Sequence, residues 1–333
     1  MVQPTLIDYA HLIITLFDKF VQTNPVLLRY QNLCNYKYRE MIIFFMLMQF
    51  RRTYEFKAQN RWLQAHPEIQ ALLNFETVPD RTTFSRQYKK LGLVVTEFTA
   101  FVGDEVADLD EAFANRHLAE DKSLFKADGP VWHQSDRREG RIPAKLRRLD
   151  TDATWGKSGY QGWVYGYGIH ITCTEAAFPK LVQVETAAVA DSEVLDQKAA
   201  FILNQLRPAS LTADDRYTKA LRLRHWIRQG SLLITPALRW VKGRYAQAYH
   251  RFLAEADIQE RFKKRKTSVE PLFDLVAKVI GATSQQKQLP MQKLVNVRTV
   301  LALGTLTVQM SMIMNSILGL PLREISAIKA AFS

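Results

Sequence analysis

No glycine occurs before Gly92, and through that stretch apolar residues recur at intervals of three and four. A chain that omits its most permissive residue and is patterned at the helical period folds there as helices. Tyr9–Phe20 and Tyr38–Phe50 carry the pattern and Leu91–Val106 continues it, so residues 1–120 read as an all-helical region. Within it, Asp80 is placed to cap a helix, Gly92 to end it, and Phe84, Tyr88 and Leu91 form one apolar stripe. Arg81, Arg86, Lys89 and Lys90 fall off that stripe. A short basic-faced helix near 78–92, after a Pro-Asp turn, is compatible with the second helix of a helix-turn-helix, though the spacing alone slightly favours a solvated surface helix.

From about residue 121 the texture changes to strands. Ser123–Asp128 and Val131–Gln134 flank a Gly129-Pro130 turn, Gly162–Thr174 alternates aromatic with smaller residues, and Lys180–Glu185 is rich in Val and Leu. A helix from Asp191 to about Leu206, a strand at Leu211–Ala213, a helix over Tyr217–Gln229 and a strand at Ser231–Thr235 follow. Hairpins succeeded by strand–helix–strand units predict an α/β layer with a mixed sheet. From Val241 onward the pattern is helical again. Met41–Phe50 is too short to cross about 30 Å of hydrocarbon. Val300–Leu320 is long enough, but Thr305, Gln309, Ser311, Asn315 and Ser316 interrupt it, which predicts a core or dimer-interface helix and no membrane span.

The 333 residues carry a formal charge of +12, with 47% apolar and 23% charged residues. That is the composition of a globular protein whose partner is a polyanion, of which nucleic acid is the simplest. Cys34 and Cys173 are the only cysteines, so a disulfide framework or zinc cluster is not expected. A reducing, cytoplasmic setting fits them, and Met1-Val2-Gln3-Pro4 has no basic-then-apolar leader pattern.

In this basic chain three carboxylates stand at element ends: Asp128 after Ser123–Ala127, Asp214 after Ser210–Ala213, and Glu270 after Arg261, Lys263, Lys264, Arg265 and Lys266. Phosphodiester chemistry asks for such acids. Two Mg²⁺ ions about 3.5–4 Å apart can activate one oxygen and stabilise another. Mg²⁺ takes oxygen ligands and keeps several waters, so a few carboxylates from different elements suffice. Acids at strand ends are also common as turn residues and caps, which is the competing reading.

Several stretches, in order, resemble the DDE transposases of bacterial insertion sequences, close to insertion-sequence families four and five. They are Val78–Arg86, Ala127-Asp128-Gly129, Asp152–Lys157 with Gly162–Tyr167 and His170, Ala190-Asp191-Ser192, Ala213-Asp214 with Tyr217, and Val269-Glu270 with Phe273. The resemblance implies an RNase H-like core over 121–282 without a large insertion, an N-terminal DNA-binding region, and C-terminal helices over 283–333 packing on the core or in a dimer. It further implies two Mg²⁺ or Mn²⁺ ions held by Asp128, Asp214 and Glu270, cleavage at the element's terminal inverted repeats, strand transfer into target DNA, and a homodimer on DNA at the bacterial nucleoid. A nuclease that cuts without joining and a DNA-binding protein with an inactive site are the alternatives.

Relatives often have an Arg four residues before the Glu, where Lys266 stands here, and a Lys seven beyond it, here displaced to Lys278. Pro271 places Glu270 at a helix start, capped from Ser268. Arg81, Arg86, Lys89, Arg137, Arg138, Arg147, Arg148, Trp155, Lys157, Lys264, Arg265, Lys266 and Lys278 are the candidate DNA contacts. The basic loop Asp136–Asp150 is the first candidate to grip DNA, against a reading as solvated charge. Trp163 and Tyr165 read as packing residues, His170 as a hydrogen-bonded strand residue, and Asp152 and Asp191 as caps or turn formers.

Overall fold

The computed structural model describes residues 3–159, 161–236, 243–282 and 287–333. Seven helices precede the first strand: α1 (Leu6–Thr23), α2 (Pro25–Leu33), α3 (Tyr38–Phe50), α4 (Phe56–Gln64), α5 (Pro67–Leu72), α6 (Arg81–Glu105) and α7 (Glu111–Ala114). Then come β1 (His117–Lys126), α8 (Gln134–Arg138), β2 (Thr154–Ser158), β3 (Gly162–Thr174), β4 (Pro179–Thr186), α9 (Asp191–Phe201), β5 (Ser210–Thr212), α10 (Ala220–Arg228) and β6 (Leu232–Ile234). The chain closes with α11 (Arg244–Leu253), α12 (Ala256–Ile280), α13 (Leu294–Leu318) and α14 (Ser326–Phe332). The expected helical onset at Val241 lies outside the described residues.

The α/β expectation agrees with this mixed architecture. In the sheet, β3 is antiparallel to β1 on one side and to β2 and β4 on the other, while β5 is parallel to β1 and β6 parallel to β5. Alternation along the strands divides the two faces. Ala119, Phe125, Ile169, Ile171 and Cys173 look toward α12 and α13, whereas Leu118, Leu181 and Leu211 pack with Leu195, Ile202 and Trp226 of the α9–α10 layer. The region 1–120 does not keep a core of its own. Residues of α1, α3, α6, the sheet, α12, α13 and α14 share one apolar cluster.

α13 is the axis of that cluster, buried from Val297 through almost every residue to Asn315. It is long and apolar enough to cross a membrane by length and composition, and 89% of its most apolar window is buried inside the fold. Its polar side chains donate to neighbouring elements, Gln309 Nε2 to the Thr99 and Pro179 carbonyls and Asn315 Nδ2 to that of Glu324, while Gln309 Oε1 and Asn315 Oδ1 accept no hydrogen bond among the described residues. The core-helix expectation therefore agrees with the structure.

Several local expectations do not. Gly92 does not end its helix; α6 runs to Glu105 with Asp80 as its cap. Glycine is there for closeness, since a Cβ at Gly92 would stand 2.7 Å from Thr299 Oγ1 of α13. Residues 131–133 form no strand, and α8 begins at Gln134. Gly129 does turn the backbone, at φ +93. Glu270 is not at a helix start, because α12 continues straight through Pro271. Pro271 has no N–H for the Thr267 carbonyl four residues back, and Arg323 Nη1 donates to that carbonyl instead, at 2.8 Å. Ser268 is no cap; its hydroxyl lies against the Glu175 and Lys264 carbonyls.

Candidate active site between two parallel strands and a helix

The register of β1 against β5 decides which carboxylates meet. Ala119 is opposite Thr212, the last residue of β5, so two residues further along come Asp121, within β1, and Asp214, in extended backbone just past β5. Both are then on the face that α12 covers. Arg265 of α12 confirms that side: its Nη1 lies 2.7 Å from Asp121 Oδ2, and its charge also acts on Asp214. Asp214 is held by its own turn, its Oδ1 accepting from the Arg216 N–H at 2.9 Å.

Asp128 is not part of this pair. It follows Asp121 by seven residues of nearly continuous extended chain, which is roughly 20 Å at strand rise. Its surroundings are the far end of β1, where Gln292 Nε2 donates to the Asp128 and Arg148 carbonyls. Asp128 and Asp214 therefore cannot share a metal pair whose ions are about 4 Å apart. The residue missed in the sequence is Asp121. It lies mid-strand in Glu120-Asp121-Lys122, without the turn that drew attention to Asp128.

Glu270 is exposed on α12, five residues beyond Arg265, or about 7.5 Å along the helix axis. It is near Lys287, whose ammonium reaches Ser123 Oγ at 3.0 Å and whose pKa burial lowers, against the charges of Asp274 and Glu270. Ser123 follows Asp121 on the same strand face, so Lys287 links the Glu270 stretch of α12 to the strand that bears Asp121. Lys287 was not picked out in the sequence. Among the described residues, no group of three or more His, Cys, Asp or Glu side chains is close enough to hold a metal ion together. The donor set that does converge, Asp121 and Asp214, is all oxygen, suits a hard cation such as Mg²⁺, and already has one cationic group, Arg265, on it.

Burial raises both carboxyls. Asp121 is pushed up to about 6, with Arg265 opposing and the Asp214 charge adding to the rise; Asp214 is raised as well, opposed by the Arg216 N–H. A carboxyl that holds its proton more tightly folded than unfolded contributes stability that is fully present below its unfolded value, near 3.8, and is lost as pH rises through 6. In EDTA, Asp121→Asn should therefore gain stability over wild type as pH rises from 4 to 7, on the order of 2 kcal/mol, with no difference at pH 3.5. Urea midpoints of the two proteins across that range measure it.

The other candidates separate by exposure. Arg81, Arg86 and Lys89 lie on the exposed face of α6, and Arg138, Arg147, Arg148, Lys157, Lys264, Lys266 and Lys278 are exposed. Arg137 is half-buried with its guanidinium over Trp132, 5.9 Å from the ring centre. Only Arg265 of the set touches a carboxylate of the pair. Trp155 is held structurally, its indole N–H donating to the Trp132 carbonyl and its ring against Tyr165. Tyr165 packs as expected, but Trp163 is 64% exposed beside Lys157. His170 is wholly buried, and neither ring nitrogen has a hydrogen-bond partner among the described residues, contrary to expectation. Asp152 does cap, accepting from the Leu294 N–H at the start of α13. Asp191 opens α9 without a side-chain cap; it is 3.0 Å from Lys122 Nζ and 3.3 Å from Arg216 Nη1, and its charge adds to the rise of the Asp214 carboxyl.

Compared with known protein families, curated proteins and solved structures, the chain matches none.

Proposed function

We propose that this protein is a metal-dependent DNA-cutting and DNA-joining enzyme of the DDE transposase kind, with Asp121, Asp214 and Glu270 as its acids. One observation carries the reading: a carboxylate on β1 and one just past the end of the parallel strand β5 face a helix that presents Arg265 and, further along, Glu270. The order β4–β3–β1–β5–β6, an antiparallel meander extended by two parallel strands, supports an RNase H-like core. The net charge of +12 supports a DNA substrate. The resemblance in the sequence implies Asp128 as the first acid; the strand register supports Asp121 in that role instead.

Divalent cations held by Asp121 and Asp214, with Glu270 from α12, would supply Lewis-acid activation of the attacking oxygen and charge neutralisation at the leaving one. The chain's own part is positional. β1 and β5 fix two carboxylates side by side, which like-charge repulsion would otherwise separate. Lys263, Lys264 and Lys266, exposed around Arg265, bring phosphate to that edge, each neutralised phosphate steepening the salt dependence by about 0.9 in log–log slope. The exposed bases of α6 and of the 137–148 loop are available to the rest of the duplex.

The test uses duplexes from the DNA flanking the protein's own coding sequence, as intact ends and as ends already cut to a free 3′-hydroxyl. Cleavage of the intact end and joining of the cut end into plasmid DNA, both dependent on Mg²⁺ or Mn²⁺, are expected. Cleavage without joining would assign a nuclease; DNA binding that is equal in EDTA, with no product on adding metal, would assign a binding protein.

A further inference from the structure

Asp121 and Arg265 are both largely enclosed, their side chains 21% and 14% exposed, and their 2.7 Å contact links α12 to the carboxylate pair. Arg265 Nη1 occupies Asp121 Oδ2 while Oδ1 accepts from the Lys122 N–H, so a divalent cation on Asp121 competes with the guanidinium for Oδ2 and its charge opposes the cation there. Resting on the two-carboxylate reading of the site, we propose that Arg265 is a displaceable counter-cation. It holds Asp121 while the protein is free of DNA, and a DNA phosphate draws it away, so that metal uptake waits for DNA.

Four features favour this. A guanidinium fork fits phosphate as well as carboxylate, so the arginine exchanges one anion for another with little loss. Lys263, Lys264 and Lys266 are exposed around Arg265, which places incoming phosphate within its reach. The stretch of α12 that carries Arg265 is also the less anchored. Between Ala256 and Thr267 only Ile258 is buried, whereas Val269, Leu272, Phe273, Val276, Val279 and Ile280 are buried beyond it. Pro271 interrupts the helix hydrogen bonds between those two stretches, with Arg323 standing in. Arg261 and Lys264 meet Glu175 at 3.8 and 3.4 Å, so the same exposed turn already shares its cations among acids.

Two ligands whose binding relieves one common contact help each other, and the help is reciprocal. The full-length protein is titrated with Mn²⁺ by calorimetry, alone and bound to a short duplex of arbitrary sequence. Wild type, Arg265→Gln and Arg265→Lys are compared, with Asp121→Asn to identify the site. Wild type should bind Mn²⁺ about tenfold more tightly with the duplex than without it. Arg265→Gln should bind tightly from the outset and respond less than about twofold to the duplex, with Arg265→Lys between the two. If all three show the same affinity and the same response, and Asp121→Asn abolishes it, the counter-cation role is overturned while the carboxylate site stands. If no Mn²⁺ binding is lost in Asp121→Asn, the site itself is wrong and the counter-cation falls with it.

Discussion

Replacing Asp121 by Asn should abolish cleavage of element-end DNA, by at least about a thousandfold, while Asp128→Asn should stay within about threefold of wild type. The contrast separates two readings of one sequence. If the first acid is the one that ends the strand, Asp128 carries the chemistry; if it is the one opposite Asp214, Asp121 does. The structure favours the second through register, because the strand pairing that stops at Ala119 and Thr212 leaves Asp121 and Asp214 as the next residues on the shared face. Asp214→Asn should match Asp121→Asn, since either change removes half of the carboxylate pair on that face. Both Asn variants should keep their affinity for DNA at moderate salt, because an Asn adds no charge that repels phosphate. Gel shifts in EDTA, run beside cleavage assays in Mn²⁺, give both numbers. Loss of cleavage in Asp128→Asn with Asp121→Asn active would return the site to the end of β1 and remove the basis for the Arg265 argument as well.

Why Asp121 escaped the sequence while β3 did not is a matter of what local pattern encodes. Gly162–Thr174 alternates so regularly that its strand is legible to the residue, and Asp191 and Asp80 open their helices where the sequence places them. The start of β1 is disguised. His117–Ser123 carries Glu120, Asp121 and Lys122 in succession, a run that reads as solvent-facing. Those charges are enclosed only because partners arrive from far along the chain, Lys198 for Glu120, Arg265 for Asp121 and Asp191 for Lys122. No single-sequence pattern records that kind of compensation. Gly92 and Pro271 fail for a related reason: both usually break helices, and here α13 and Arg323 from elsewhere in the chain make the unbroken helix acceptable. Asp214 stands out in the sequence because it follows a short apolar strand and precedes its own turn, both of them local signals. Trp163 was misjudged because strand alternation gives the face but not whether anything covers it, and the hairpin tip is uncovered.

On the opposite face of the sheet, directly behind the site, a buried ion pair makes the second large effect testable. Glu120 Oε1 lies 2.6 Å from Lys198 Nζ, with Thr172 bonded to both; the glutamate side chain is fully buried and the lysine 7% exposed. Burial lowers the Lys198 pKa, and the Glu120 charge works against that. Removing one partner leaves a carboxylate with no counter-charge in a layer otherwise built of Leu118, Leu195 and Ile202. Lys198→Met should therefore cost about 3–5 kcal/mol, whereas Glu120→Leu with Lys198→Met should recover most of it, since a paired replacement removes the desolvation cost together with the attraction. Urea unfolding in the absence of metal gives the cycle. The double variant also tests whether this layer acts only as scaffold. Asp121 is Glu120's neighbour on β1, so a register held by apolar packing alone should preserve Mn²⁺-dependent cleavage within about threefold. A double variant that is as stable as wild type but cuts a hundredfold more slowly would instead show that the buried charges behind β1 help set Asp121 against Asp214.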